Sequence, residues 1–595
     1  MVSPTLMGSA EARPAIRRTA IVLDRMRPIT AYLAKWEVRL RASGENYPEK
    51  HTGRLLRLAT ATLMIASLAH AETPAVPPSG GYVTALTDSG SVRGKVSEDG
   101  EVEVYQGIPY AAPPVANLRW APPQPPAHWS GTRDAFEPGS PCPQTGRLAG
   151  VNEDCLYLNV WAPHKSSHNK LPVIVWIHGG TQIVTTGSEY DGRWLVTRGT
   201  PVIAVTINYR LNIFAFFAHA QLTAEDAAMG SGNYATLDQQ FALQWVKRNI
   251  ADFGGDPDNV TIAGESGGGQ AVCILLVSPQ AAGLFQRAIT ESAPCQDQYY
   301  PTLTASEEAG AKIASELGCS DVACLRKLPA AAILAKQTGI APIGQPATGA
   351  GAFPLPIRHA IAFGRFNKVP VMEGSTKDEA LFFVAPAYDG VGKLVTEAQY
   401  PQIITTLFGE SRTQAILEKY PTANYPTPSY ALVAVETDSA ENGAATRNRL
   451  GACNTELANQ LLAPWVPVYA FEFADKNAPW PIPLFPLSTG GMKGAGHTSE
   501  LPYLWKMDVT LTDAQQRLST TMIKYWTNFA AHGDPNGEGL PAWPKFTSSS
   551  PQYMTLRTDR VAADSTFRDV HKCKFWSEQG WANLYGPYDT PFPTH

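Results

Sequence analysis

The chain has 595 residues, 44% hydrophobic and 17% charged, with 14 tryptophans, enough apolar material for a large core. Its net charge of −5 argues against a nucleic-acid partner or a general attraction to anionic membranes. Eight cysteines suit an oxidising compartment, and no C-x-x-C or H-E-x-x-H motif supports a bound metal.

The first stretch, 1–51, is basic and polar and reads as a non-structural extension, best explained by a start codon assigned too early. Residues 52–71 follow as a secretory signal. Arg54 and Arg57 precede the apolar run Leu58 to Leu68, and Ala69-His70-Ala71 gives an A-x-A site, so cleavage is expected after Ala71. The run is too short to span a bilayer, and no stable membrane anchor is expected. Residues 80–595 carry no repeat or low-complexity linker and read as one domain.

Within that domain, β-type runs precede helical stretches. They are Val173 to Ile177, Val202 to Ile207, Val260 to Ala263, Ala288 to Glu291, Val369 to Glu373 and Val466 to Phe473. Asp238 to Asn249 has helical spacing, and Gln270 to Val277 is apolar enough for a buried helix. The alternation predicts an α/β fold: a large, mostly parallel central sheet with helices on both faces. The region of about 300–460 is expected to be helical and to form part of a cap. Ligands on such sheets bind at the carboxyl ends of strands.

Gly264-Glu265-Ser266-Gly267-Gly268 falls at one such end, between a strand and a helix. G-x-S-x-G in that setting is a nucleophile elbow: a tight turn that projects a serine Oγ, followed by a helix N-terminus that favours developing negative charge. A serine needs a base, itself oriented by an acid, and on this fold the order is Ser, acid, His. Gly374 to Glu379 offers Asp378 and Glu379 in a loop after a strand. Gly494-Ala495-Gly496-His497 offers a histidine among small residues. Trp176-Ile177-His178-Gly179-Gly180-Thr181 leaves another strand, and its glycines let backbone N–H groups turn toward a substrate carbonyl, with the Gly267 N–H completing an oxyanion hole.

These pieces, in order, resemble the type-B carboxylesterases, the cholinesterase-like branch of the α/β-hydrolases. The likeness runs from about Gly80 to Trp576. It takes in Gly107-Ile108-Pro109-Tyr110, Glu153-Asp154-Cys155-Leu156-Tyr157-Leu158-Asn159, Asn208-Tyr209-Arg210-Leu211, Phe253-Gly254-Gly255-Asp256-Pro257, Lys377-Asp378-Glu379, Gly533-Asp534-Pro535-Asn536 and His571-Lys572-Cys573. The resemblance implies that Ser266 is the nucleophile, His497 the base and Glu379, rather than Asp378, the acid. Gly180, Thr181 and Gly267 would supply the oxyanion N–H groups, and Glu265, Ser292 and Glu500 a polar network near His497. It implies disulfides Cys142–Cys155, Cys319–Cys324 and Cys453–Cys573, leaving Cys273 and Cys295 as thiols. The expected protein is a secreted or periplasmic serine hydrolase acting on small-molecule carboxylic esters through an acyl-enzyme, with no cofactor. A lactonase or amidase is the rival within the class. The adhesion modules of this branch lack triad residues, which are all present here.

Several positions depart from the family pattern. Thr181 stands where a third glycine, or alanine, is usual, which predicts a narrower or more polar acyl pocket. Asn212 and Ala215 also replace glycines, and Gly267 replaces a common alanine, a change expected to matter little. Cholinesterases carry a choline-binding tryptophan inside the first disulfide loop. The 12 residues between Cys142 and Cys155 include none, so acetylcholine specificity is not expected. Phe382, Phe383, Trp480 and Tyr503 are candidates for the pocket wall.

Overall fold

A computed structural model describes residues 80–146, 148–164, 170–296, 300–337, 345–439, 450–480 and 489–579. The extension and signal expected over 1–71 lie outside these. A sheet of 13 strands forms the frame: β1 (Tyr82–Thr87), β2 (Gly90–Val96), β3 (Val102–Pro109), β4 (Thr132–Asp134), β5 (Tyr157–Pro163), β6 (Leu171–Ile177), β7 (Ile203–Ile207), β8 (Gly255–Glu265), β9 (Arg287–Glu291), β10 (Val371–Thr376), β11 (Val468–Phe473), β12 (Tyr553–Leu556) and β13 (Val561–Asp564). Their spatial order is β1-β2-β3-β5-β7-β6-β8-β9-β10-β11-β12-β13, with β4 beside β2. From β7 through β12 every pairing is parallel, and antiparallel ribbons close both ends. This is the sheet of an α/β-hydrolase.

The central strands read as continuous apolar runs because helices cover both faces. Val173, Val175, Ile177, Val205, Ile207 and Ile262 look into one core, and Ile174, Trp176, Ala204 and Ala263 into the other. Helix α1 (Tyr234–Asn249) and helix α2 (Gly267–Val277) pack on the first face. Between about 300 and 460 the described chain is largely helical, as expected, with α3 (Leu381–Ala387), α4 (Tyr400–Phe408), α5 (Pro428–Asp438) and α6 (Ala452–Leu462) among its members. Helix α7 (Asp513–His532) returns to the second face, and the short α8 (Cys573–Glu578) closes the described chain.

Strand β10 begins two residues later than Val369 and runs on to Thr376. Pro370 has no N–H to give a ladder, although its carbonyl accepts from Ala288 N at 3.1 Å. The three expected disulfides are present, and so is a fourth, Cys273–Cys295. The expectation of two thiols is therefore wrong. Cys273 lies on α2 and Cys295 just past β9, and the turn after β9 brings their Cα atoms to 5.2 Å, well within bridging reach. No described cysteine is free.

Candidate active site

The elbow sits where β8 hands over to α2. Ser266 holds φ 54° and ψ −122°, a conformation that costs a non-glycine residue about 1–3 kcal/mol. Two backbone bonds fix it: Ser266 N donates to Glu291 O at 2.9 Å, and Gln270 N donates to Ser266 O at 2.9 Å. Gly268 is required by the crossing itself, since a Cβ there would overlap the Ile177 carbonyl oxygen of β6.

His497 and Glu379 meet beside this elbow. The His497 Nδ1 lies 2.7 Å from Glu379 Oε2, and both side chains are buried. Glu379 is itself steered by Thr376 N, which donates to its other oxygen at 2.7 Å. Asp378 turns away: its Oδ2 accepts from Ala495 N at 2.9 Å, while its own N donates to Ala495 O at 2.9 Å. Asp378 thus clips the acid turn to the histidine loop and does not touch the imidazole. Phe382 and Phe383 lie against His497, with ring centroids at 5.5 and 5.6 Å, and Trp480 stacks on Phe382. Tyr503 is elsewhere: its OH donates to Asp475 and its ring meets Phe473.

Glu265, Ser292 and Glu500 are all buried here, but no direct hydrogen bond links them into a network among the described residues. The His497 Nε2 lies 3.2 Å from Glu265 Oε1 without hydrogen-bond geometry. Burial, then the charges of Glu500, Glu379 and Glu291, pushes the Glu265 carboxyl well above the carboxylate range. Burial does the same to Glu500. Burial thus biases both carboxyls toward the neutral form, a property of packing that no sequence motif announces.

The loop after β6 brings backbone N–H groups to the elbow. Gly180, Thr181, Gln182 and Thr185 all have left-handed φ, at 82°, 54°, 58° and 77°. A Cβ on Gly267 would fall 2.7 Å from Gln182 N and 2.8 Å from Thr181 N. The alanine common at this position therefore does not fit, and Gly267 is more than the minor change expected. The Thr181 side chain is exposed, and its hydroxyl donates to the Gly180 carbonyl at 2.7 Å, so its proton is already engaged. His178 stacks on Tyr209 at 4.4 Å, its Nδ1 meets Thr185 Oγ1 at 2.8 Å, and burial holds its imidazole down at about 4. No group of three or more His, Cys, Asp or Glu arranged to hold a metal occurs among the described residues.

A strained serine at a parallel strand–helix crossing, with a buried imidazole–carboxylate pair beside it, defines an α/β-hydrolase. Comparison with known proteins narrows the class. Residues 82–576 match the model of the carboxylesterase family, and the chain belongs to that family. It is similar to the fumonisin B1 esterase of Sphingopyxis macrogoltabida, 33% identical over 77% of this chain and 84% of the relative. It is similar also to the cocaine esterase of Homo sapiens, 32% identical over 83% and 90%, and to the para-nitrobenzyl esterase of Bacillus subtilis (strain 168), 33% identical over 80% and 94%. Among solved structures, a PNB esterase superimposes with a TM-score of 0.67 at 32% identity, covering 83% of this chain and 99% of that one. The protein is a carboxylic ester hydrolase. Its disulfides fit an extracellular or lumenal enzyme, and no described helix is long and apolar enough to cross a membrane.

Proposed function

We propose that Ser266, His497 and Glu379 are the triad of an esterase that works through an acyl-enzyme. The observation that carries this reading is the 2.7 Å bond from Glu379 to His497 Nδ1, which leaves Nε2 as the nitrogen facing the elbow strand. Ser266 Oγ attacks the ester carbonyl and passes its proton to His497. The N–H groups of Gly180, Thr181 and Gly267 hold the resulting oxyanion, each such donor being worth on the order of 10²–10³ in turnover. The imidazolium then protonates the departing alcohol, and water releases the acid by the same steps in reverse order. Glu379 stays ionised throughout, fixing the tautomer and stabilising the imidazolium.

The substrates are small carboxylic esters. Phe382, Phe383 and Trp480 supply an aromatic wall beside the base. The enzyme is exported, secreted or periplasmic, after cleavage behind Ala71. N-terminal sequencing of exported protein should begin near Glu72, and a start far from it refutes the site.

Ser266→Ala should lower turnover of a short p-nitrophenyl ester by at least on the order of 10⁴-fold, and a phosphonate ester should label Ser266 in peptide maps. An adduct on another residue overturns the assignment.

A further inference from the structure

Three departures from the family pattern, Thr181, Asn212 and Gly267, meet at one place in the fold. Thr181 and Gln182 hold left-handed backbone although they carry side chains, and Gly267 leaves room for their nitrogens. Thr185, also left-handed, ends the same turn. A glycine loop adopts this path freely, whereas a loop of side-chain-bearing residues must be held to it from outside.

Two buried amides do the holding. Gln144, two residues past Cys142, reads both backbone groups of Thr185: its Oε1 accepts from Thr185 N at 2.8 Å, and its Nε2 donates to Thr185 O at 2.9 Å. The Cys142–Cys155 disulfide ties the base of the Gln144 segment down. Asn212 grips the other side. Its N donates to Gln182 O at 2.9 Å, and its Nδ2 donates to Pro143 O at 2.6 Å and to Ile183 O at 3.3 Å. Asn212 is itself left-handed, at φ 52°, a conformation asparagine tolerates better than most residues. The two clamps meet, because Asn212 binds the carbonyl of the residue preceding Gln144.

We propose that Gln144 and Asn212 are positioning residues for the oxyanion hole, an amide clamp that keeps the Thr181 N–H aimed at the substrate carbonyl. The clamp replaces the conformational freedom a glycine would give, so its worth depends on Thr181 being a threonine. This rests on the oxyanion role given above to Thr181 and Gly267. Neither amide touches the substrate. Their effect reaches the chemistry through the Gly180–Thr185 turn, where a misplacement of an ångström is enough to cost on the order of 10²-fold.

The test uses the full-length enzyme, Asn212→Asp and Gln144→Glu, each alone and combined with Thr181→Gly. Asn212→Asp keeps shape and left-handed tolerance but cannot donate to Pro143 and Ile183. Gln144→Glu keeps the acceptor for Thr185 N but cannot donate to Thr185 O. Each single variant should lower kcat for a p-nitrophenyl ester by about 10-fold to 100-fold, with KM changed by less than about 3-fold. Affinity for a trifluoromethyl ketone, whose serine adduct places an oxyanion in the hole, should fall in parallel. Thr181→Gly should then restore kcat in both backgrounds to within about 5-fold of Thr181→Gly alone. A single variant that fails to fold should regain folding with Thr181→Gly, since the clamp opposes strain at that residue.

Unchanged kcat in folded single variants, or losses of kcat or folding that Thr181→Gly does not relieve, overturns the clamp. Ser266→Ala, run alongside, separates the two readings. If it stays active, the triad assignment has failed; if it is inactive while the clamp variants behave as wild type, only the clamp has failed.

Discussion

Two buried acid-rich clusters lie on either side of the β10 turn, and they solve the same problem in opposite ways. Toward the elbow are Glu265, Glu291 and Glu500, each buried, with Glu373 buried on the opposite face of the sheet, and no lysine or arginine of the described residues pairs with any of them. Burial pushes Glu291 up to about 8, only partly offset by Trp526 Nε1 donating to it at 2.8 Å. Burial likewise lifts Glu373 to about 8, opposed only in part by Cys295 N and the Thr290 hydroxyl. Toward the C-terminal end, His571 sits between two carboxylates, Nδ1 at 2.5 Å from Asp438 and Nε2 at 2.7 Å from Glu472. Burial alone would push that imidazole down, but Asp438 and Glu472 outweigh it and hold it up at about 9. Burial also lifts Glu472, yet His571 and Lys377 more than reverse the shift and keep it below the usual range. A buried carboxylate without a cation gives up its charge; one with a cation keeps it and becomes a structural tie.

The hardest test of this contrast is removal of the cation. His571→Gln takes away the buried cation that Asp438 and Glu472 share, leaving only Lys572 at 3.4 Å from Asp438 and Lys377 at 3.6 Å from Glu472, and it should cost up to about 3–5 kcal/mol, read as the denaturation midpoint. A cost below about 1 kcal/mol would show that the triad of charges ties nothing.

Next in size is the response to alkali. His571 has a folded value near 9 against an ordinary 6.5, so its contribution is fully present below pH 6.5 and is lost as pH rises through 9. For Glu291 and Glu373 the folded value near 8 exceeds the ordinary 4.5, so stability is lost between pH 4.5 and 8. Thermal midpoints across pH 5–10 should fall in both windows, and His571→Gln should flatten only the upper one. A flat profile in either window contradicts the cluster assigned to it.

The smallest effect is expected where charge is already absent. Glu373→Gln substitutes a neutral group for a neutral group and should change stability at pH 7 by less than about 1 kcal/mol. If it costs as much as His571→Gln, a buried carboxyl without a cation is not different in kind from the carboxylates around His571.

What the sequence made legible was local. The elbow, the Glu379 and His497 loops and the apolar runs of β6 through β9 are each short patterns whose meaning depends on neighbours in the chain. The family likeness then assigned Glu379 over Asp378, and the backbone shows where Asp378 goes instead. What stayed hidden depends on contacts far apart in sequence. Nothing around Cys273 or Cys295 hints that α2 and the turn after β9 bring them together. Gln144 sits in a featureless Pro-Gln-Thr stretch, and only folding places it against Thr185. Gly267 looked interchangeable with alanine because the crowding nitrogens come from another loop. His571 was only part of a matched motif until Asp438 and Glu472 closed on it.

The bond between Cys453 and Cys573 spans 120 positions, and His497 lies inside that span. A protease that severs the backbone anywhere between the two sulfurs therefore does not release the piece bearing the base. The halves stay joined, migrating as one species until a reductant is added, so nicked enzyme can keep its working parts together.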